Sequence, residues 1–560
     1  MGPERGADWQ RTLDQGLELH QAGAFAEAEQ VYRSVLDQDP EAFTPLHMLG
    51  VLRAQQGHPE QGADLIRQAL RLSPDVATAW FNRANILAGI GRYHEALNSY
   101  DRAIELSGEA TVRHHRARLL LENGRAADAL ADLEQILAVQ PENVAVLKDC
   151  AAALSSLGRS QEARRYYESV LASAPDDVET LNNLANILRA AGQFLDALAL
   201  YDRALRLNPD IAEIWTNRAA ALSELERYGD ALESADRALK LRADLAEALN
   251  NRGDALRELG RLDEALAAFD GALTHKVAYP AAWNNRAKLL CEMGRVSEGF
   301  ESFRRSSRLA YGEVLQERQT PFDEAQARYR VRTGVDEGHS VSGPALQTAV
   351  WAERATADWR ASRPQLAVID QFLSHKALDA LRRYCWSAPV WQRNYGAGYV
   401  GAFPETGFAC PLLAQIAEEL QAGLPAIFRD HPLRYLWAFN YDSTGSGTHV
   451  HADEATVNVN FWITPEEANR EPDRGGLVVW DAATPADWNF KQFNVDRGLM
   501  EDYLARHGAK PRHIPYRSNR AVIFDSSLFH KTDDFNFGPD YCERRINITF
   551  LYGRRPRGRS

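Results

Sequence analysis

The chain has few cysteines and no long apolar segment. Its 560 residues include five cysteines, which are widely scattered and form no Cys-x-x-Cys pair. This usage argues against a disulfide framework or a zinc finger and favours a reducing compartment. No run of 18 or more apolar residues occurs, and the first ten residues lack the apolar stretch of a signal peptide. We therefore expect a cytoplasmic protein without a membrane segment.

Positive charge is also in deficit. The formal net charge is −13 at pH 7, which argues against general nucleic-acid binding by the whole chain. A hydrophobic content of 45% and a charged content of 25% are typical of soluble globular proteins. The length exceeds that of one ordinary domain, so a multidomain chain is expected.

The first three hundred residues contain one repeating pattern. A small residue recurs at steps of about 34 residues, at Gly16, Gly50, Ala84, Ala117, Ala151, Ala185, Ala219, Gly253 and Ala287. A turn residue follows each of them, at Gly23, Gly57, Gly91, Gly124, Gly158, Gly192, Glu226, Gly260 and Gly294. The pattern resembles the tetratricopeptide repeat, a helix-turn-helix unit. It predicts about nine units over residues 9–310, stacked as an all-α superhelix with a concave groove.

Asparagine recurs on the first helix of several predicted repeats. Asn183, Asn217, Asn251 and Asn285 occupy the same position in consecutive units. An amide offers donors and an acceptor that match a peptide unit. The row is similar to the asparagine ladder of the repeat domain in O-linked N-acetylglucosamine transferases, which implies a groove for a protein or peptide. The alternative is that asparagine is common at this position and caps or solvates the helix.

The repeat pattern fades after Ser306, and a second domain follows. Residues 311–363 are charged and contain Gly and Ser, which indicates a connector that is part helical and part loop. Residues 364–553 begin with a short strand and two helices and continue as short alternating segments, among them 448–453, 456–463, 521–524 and 545–552. Period-two patterning with Gly, Pro, Asn and Asp between the segments predicts a double-stranded β-helix, the jelly-roll type, with flanking helices. A basic tail occupies residues 554–560.

Three residues of this domain form a candidate metal site. His451 and Asp453 are two residues apart, so on a strand both would point to the same side. His530 follows after a long gap, just beyond the segment 521–524. Two imidazoles and one carboxylate make the facial triad that holds Fe(II) and leaves positions open for substrates. His449 is an alternative to His451, although the His-x-Asp spacing favours His451.

The residues after the triad resemble those of Fe(II)/2-oxoglutarate-dependent oxygenases. The likeness extends over residues 364–553 and is greatest to a prolyl-hydroxylase-like bacterial branch in which tetratricopeptide repeats precede the oxygenase. Arg545, at the start of the last strand, is implied to bind the far carboxylate of 2-oxoglutarate, and Tyr441 matches a tyrosine ten residues before the metal histidine. Arg544 is the alternative to Arg545, but strand phase groups Arg545 with Asn547 and Thr549.

Polar residues on neighbouring strands are further candidates for contacts with the co-substrate. These are Asn458, Asn460 and Thr549, for which hydrogen bonding within the core is the alternative. The long insertion 481–512 carries four aromatic residues and is typical of a lid or substrate-binding element.

The resemblance implies a hydroxylase that uses Fe(II), dioxygen and 2-oxoglutarate, with a protein or peptide substrate docked by the repeats. Two other functions stay open. One is a non-catalytic interaction scaffold with a sensor or relic oxygenase fold, and the other is an oxygenase acting on a small molecule.

Overall fold

The computed structural model describes residues 4–312, 321–395 and 398–554. The chain divides into two compact units, Met1–Ala221 and Leu222–Ser560, and each is treated by itself. Apart from Arg554, the expected basic tail lies outside the described residues.

Helices in pairs make up the chain as far as Tyr311. They are α1 (Glu4–Gln21), α2 (Phe25–Gln38), α3 (Phe43–Gln55), α4 (Pro59–Leu72), α5 (Ala77–Gly89), α6 (Tyr93–Ser107), α7 (Ala110–Glu122), α8 (Ala126–Leu137), α9 (Val144–Ser156), α10 (Ser160–Ser173), α11 (Val178–Ala190), α12 (Phe194–Leu207), α13 (Ala212–Glu224), α14 (Tyr228–Leu241), α15 (Ala246–Glu258), α16 (Leu262–His275), α17 (Pro280–Glu292) and α18 (Val296–Tyr311). The predicted helix-turn-helix repeats are confirmed.

The two recurring residue types have different structural reasons. All eight turn glycines have φ between 73° and 86°, a left-handed conformation that favours glycine, and Glu226 occupies the ninth turn at φ 58°. The small residues lie where the two helices of a repeat cross. At one such crossing, a Cβ on Gly50 or Gly62 would overlap the carbonyl oxygen of the other glycine.

Further helices belong to the C-terminal part, and two of them fall in the segment expected to be a connector. They are α19 (Pro321–Thr333), α20 (Thr348–Ala361), α21 (His375–Ser387), α22 (Pro411–Gly423), α23 (Pro425–Phe428) and α24 (Arg497–Arg506). Gln326 and Arg330 on α19 donate to the carbonyl oxygens of Ala388 and Ser387, and Trp351 on α20 is buried in the core. From Glu324 onward the expected connector is therefore packed against the second domain.

The strands form antiparallel sheets. They are β1 (Leu366–Ile369), β2 (Arg393–Asn394), β3 (Tyr399–Ala402), β4 (Leu433–Tyr441), β5 (Thr444–Gly445), β6 (Val457–Trp462), β7 (Leu477–Ala483), β8 (Pro511–Ile514), β9 (Ala521–Asp525), β10 (Leu528–Thr532), β11 (Phe535–Asn536) and β12 (Ile546–Tyr552). The large sheet has the order β1-β9-β6-β12-β4-β3-β2. A three-stranded sheet has the order β10-β7-β8, and β11 pairs with β5.

The large sheet separates an apolar face from a polar one. On β12, Ile546 and Ile548 enter a core that also contains α20, α21, α22 and residues of the last repeat helices, such as Phe300. Asn547 and Thr549 point to the opposite face, as strand alternation requires. Thr549 lies beside Asn460 of β6 in the register of the sheet. The polar face of the central strands is therefore available for a site.

One predicted strand is wrong. Residues 448–453 form no continuous strand, and only His451 makes an isolated antiparallel bridge, to His530. The reason is that the backbone amides of this segment bond to three different places. His451 donates to His530, Ala452 donates to Phe493, and Asp453 donates to Ser526. His530 itself lies within β10, a strand that the sequence pattern did not predict.

Candidate metal centre

His451, Asp453 and His530 meet at one point despite the absence of the predicted strand. One ligand atom from each lies within 4.8 Å of the others. The Nε2 atom of His530 is 3.3 Å from Oδ2 of Asp453, and the two imidazole centroids are 4.4 Å apart. His530 and Asp453 are 3% and 5% exposed, whereas His451 is half-buried. The spacing fits three ligands on one face of a single ion.

Backbone carbonyls fix the tautomer of both histidines. The Nδ1 atom of His451 is 2.8 Å from the carbonyl oxygen of His449, and Nδ1 of His530 is 3.0 Å from that of Leu528. A carbonyl oxygen only accepts, so each Nδ1 carries the proton and donates it. Each Nε2 then keeps its lone pair for a metal, which is the arrangement that outer hydrogen bonds impose on metal-ligating histidines.

The electrostatics keep the ligands in the form that binds metal. Burial, and after it the neighbouring His530, lowers the pKa of His451 to about 4, so this imidazole is neutral at pH 7. Burial raises the pKa of Asp453, but its polar contacts with the His530 side chain and the Asn458 amide outweigh this effect and leave that pKa below its usual value. A neutral imidazole and an ionised carboxylate are the species that coordinate metals.

Asn458 holds the carboxylate in place. Its Nδ2 donates to Oδ2 of Asp453 at 2.7 Å, and its side chain is fully buried. Asn458 therefore makes a buried hydrogen bond to the candidate ligand Asp453, which is the alternative named for this residue, and it does not line the small cavity beside the ligands. Gly447 positions the same loop from the other end. Its φ is 70°, and a Cβ there would overlap the carbonyl oxygen of Thr532 on β10.

A small cavity extends from the three ligands toward the core. Its volume is about 30 Å³, and besides the ligands it is lined by Trp437, Phe439, Tyr441, Thr448, Asn460, Leu477, Thr532, Asn547 and Thr549. The Tyr441 hydroxyl and the Thr532 hydroxyl are 3.2 Å apart. Asn460 donates to the Thr549 hydroxyl at 3.1 Å. Of the residues expected to contact a co-substrate, Tyr441, Asn460 and Thr549 line this cavity.

Arg545 lies behind Tyr441 and is completely buried. Its Cζ is 4.9 Å from the centre of the Tyr441 ring, and its Nε and Nη2 donate to the carbonyl oxygens of Gly475 and Gly476. Its Nη1 has no hydrogen-bond partner in the described part of the chain. Burial lowers the pKa of this guanidinium. A buried charge without a counter-ion is costly, which makes Arg545 suited to bind an anion.

The two alternative residues lie elsewhere. His449 is exposed, with Nε2 3.1 Å from the carbonyl oxygen of Asn494 in the insertion. It is not a member of the ligand group formed by His451, Asp453 and His530. Arg544 is an ion-pair partner of Asp442, at 3.7 Å.

The asparagine row forms bonds between repeats. Asn217 donates to Asn182 at 3.0 Å, and Asn285 donates to Asn250 at 3.2 Å, each across 35 residues. The same spacing joins His114 to Asp149 at 2.7 Å. The expected ladder residues Asn183, Asn217, Asn251 and Asn285 are all half-buried on the first helix of their repeats. At least part of this row is therefore used to link successive repeats.

Several lining residues had not been singled out from the sequence. Trp437 and Phe439 share a face of β4 with Tyr441, and this period-two alternation was a usable signal. Lys288 and Arg257 line a wider pocket of about 590 Å³ that also contains His449, His451 and Asp453. No sequence signal linked these two repeat residues to the metal site, because the contact joins segments more than 150 positions apart.

Known proteins are similar to the N-terminal part of the chain. Tetratricopeptide-repeat family models match residues 47–110, 120–187, 176–244, 216–285 and 250–309. Tetratricopeptide repeat protein 13 of Homo sapiens is 28% identical over 121 residues, which cover 21% of this chain and 14% of that protein.

Two solved structures are also similar. A tetratricopeptide repeat protein from Parabacteroides merdae ATCC 43184 is 17% identical, with 44% of this chain and 98% of that one covered and a TM-score of 0.34. YrrB, a TPR protein with an unusual peptide-binding site, is 19% identical, with 32% and 94% covered and a TM-score of 0.27.

In the described residues we find no helix that has both the length and the apolar character needed to cross a membrane. The paired helices that extend to Tyr311 are tetratricopeptide repeats.

Proposed function

We propose that the C-terminal part is an Fe(II)- and 2-oxoglutarate-dependent dioxygenase of the double-stranded β-helix type, a hydroxylase of a protein or peptide substrate. The observation that carries the proposal is the convergence of His451, Asp453 and His530 with both Nε2 atoms left free by backbone hydrogen bonds. Two imidazoles and one carboxylate suit Fe(II) and leave half of an octahedral coordination sphere open.

The residues around the ligands fit a 2-oxo dicarboxylic acid. Arg545 offers a buried cation whose Nη1 lacks a partner, and Tyr441 adds a hydroxyl beside Thr532. A guanidinium and two hydroxyls are suited to bind one carboxylate. Because the cavity of about 30 Å³ has room for little more than one water molecule, binding of the five-carbon diacid requires its lining side chains to move apart.

When bound, the iron and its co-substrate would supply the oxidising chemistry, and the protein supplies positioning. His451, Asp453 and His530 would hold the metal, and the coordination positions that they leave open would be free for co-substrate and dioxygen. Asn458 keeps the Asp453 carboxylate oriented. Trp437, Phe439 and Leu477 give the small cavity beside the ligands its apolar lining.

The repeats support a macromolecular substrate, because tetratricopeptide repeats commonly bind peptides or proteins. The same observation favours a second candidate, a non-catalytic interaction scaffold. Turnover of 2-oxoglutarate distinguishes the two candidate functions. An oxygenase converts 2-oxoglutarate and dioxygen to succinate and carbon dioxide in the presence of Fe(II), whereas a scaffold does not.

The test is the rate of succinate formation by the full chain, measured by NMR with and without Fe(II), with ascorbate present as the reductant that turnover without substrate requires. We expect slow substrate-independent turnover in the wild type and its loss in Asp453→Ala. Equal succinate formation in the two proteins, or none in folded wild type loaded with iron, would contradict the proposal.

A further inference from the structure

The wide pocket in front of the metal ligands is built partly by the last repeats. Arg257 on α15 and Lys288 and Glu292 on α17 line the same 590 Å³ as His451 and Asp453. The volume is within the range of pockets that enclose a ligand. These repeat helices therefore form part of the wall of the site rather than a separate docking arm.

Lys288 is a half-buried cation without a direct partner. No hydrogen bond or ion pair joins its ammonium group to the described part of the chain. Burial, and after it the charge of Arg257, lowers the pKa of Lys288, while Glu405 and Asp254 offset part of this effect. Glu405 itself accepts a hydrogen bond from the Tyr435 hydroxyl at 2.5 Å.

One carboxylate of the pocket lining, that of Glu292, is already shared among arginines. Glu292 forms a short ion pair with Arg434 and lies 3.8 Å from Arg257 and 3.5 Å from Arg554. Glu258 pairs with the last two, at 2.7 Å and 3.0 Å. Asp254 lies 3.2 Å from Arg257 as well, so three carboxylates serve these three guanidinium groups, and none of the three forms an ion pair with Lys288.

A second cation of the pocket is held by aromatic rings alone. The Cζ atom of Arg393 is 5.3 Å from the ring centre of Tyr395 and 5.7 Å from that of Phe403. Among the described residues it has no carboxylate partner, and its side chain is exposed. Stacking of this kind orients a guanidinium and leaves its N–H groups free to donate.

We propose that the substrate is a peptide with acidic side chains close to the residue presented to the metal, and that Lys288 and Arg393 bind carboxylates of this peptide. The inference rests on the proposed oxygenase function and names its substrate class. Tyr399, Trp437 and Phe439 supply aromatic surface in the same pocket, against which the apolar part of the peptide packs.

The test uses three synthetic peptide pools of equal length, about a dozen residues, enriched in Asp and Glu, in Asn and Gln, or in Lys and Arg. Binding to the full chain is measured by biolayer interferometry under argon with Fe(II), 2-oxoglutarate and about 0.15 M salt. We expect the acidic pool to bind at least about tenfold more tightly than the neutral pool. Lys288→Gln and Arg393→Gln should each reduce this preference about fivefold, and Lys288→Arg should retain it.

The matched control is Lys376→Gln, the same charge change at an exposed lysine of α21 outside the pocket. Equal affinity for the three pools, no binding of any pool, or identical behaviour of Lys288→Gln and Lys376→Gln would overturn the inference. Succinate formation by the wild type is measured in parallel. Its presence without an acidic preference contradicts this inference alone, and its absence contradicts the proposed function.

Discussion

The hydrogen bond from Asn458 to Asp453 gives the sharpest prediction about the metal site. The donor Nδ2 lies 2.7 Å from a carboxylate oxygen, and both residues are buried, so water cannot replace the amide. A hydrogen bond to a charged group contributes about 1.5–3 kcal/mol. Substitution Asn458→Leu keeps the approximate volume and removes the donor, so we expect metal affinity to fall about 10- to 100-fold, as for other residues behind metal ligands.

The assay is anaerobic calorimetric titration of the apoprotein with Mn(II), which is stable toward oxidation and takes the same ligand types. The matched control is Asn460→Leu, on the same strand and also buried, because its amide donates to Thr549 and not to a metal ligand. We expect Asn460→Leu to change metal affinity less than about threefold. Equal losses in the two variants would show that packing, rather than the bond to Asp453, governs the effect.

Three further predictions concern the co-substrate, a turn and a buried histidine. Arg545→Met should weaken the binding of 2-oxoglutarate at least about tenfold and leave Mn(II) affinity unchanged. The measurement is succinate formation as a function of 2-oxoglutarate concentration. The same concentration dependence in variant and wild type would refute the role of Arg545. Glu226→Gly should raise the free energy of unfolding by about 1 kcal/mol because φ is 58° there, whereas Glu233→Gly inside α14 should lower it by about as much. The measurement is urea unfolding, and a lower free energy of unfolding in both variants would contradict this expectation. Burial lowers the pKa of His47 to about 4, so protonation of this imidazole favours the unfolded state. Neutral His47 therefore contributes to the free energy of unfolding above pH 6.5, and this contribution is lost as the pH falls from 6.5 to 4. The loss of unfolding free energy between pH 7 and pH 5 should be about 2 kcal/mol smaller in His47→Leu than in the wild type. An equal loss in the two proteins would contradict this role of His47.

The sequence was most informative where one interaction recurs. Each repeat needs a small residue at its helix crossing and a left-handed turn residue, so the period alone predicted the helix pairs. The asparagine row has the same period, but its role could not be predicted from the period. A bond such as that from Asn217 to Asn182 lies between repeats and depends on how the repeats stack.

The geometry of the candidate site could be predicted much less well from the sequence. The residue types of His451, Asp453 and His530 pointed to a metal, but the strand assumed for the first two is absent. The loop is instead held by amide bonds to three separate segments, which no local pattern encodes. Asn458 was expected near the co-substrate because it alternates with Asn460, but the carboxylate of Asp453 occupies its donor. Lys288 could not be linked to the site at all, since its position depends on long-range packing.

The central claim is tested most directly by titrating the anaerobic apoprotein with Fe(II) and then with 2-oxoglutarate while recording the visible spectrum. A weak charge-transfer band that appears on addition of 2-oxoglutarate to the wild type, and is absent from Asp453→Ala, is the predicted result. Folded wild-type protein that binds iron yet gives no band, or a band that persists in Asp453→Ala, would contradict an oxygenase centre built on His451, Asp453 and His530.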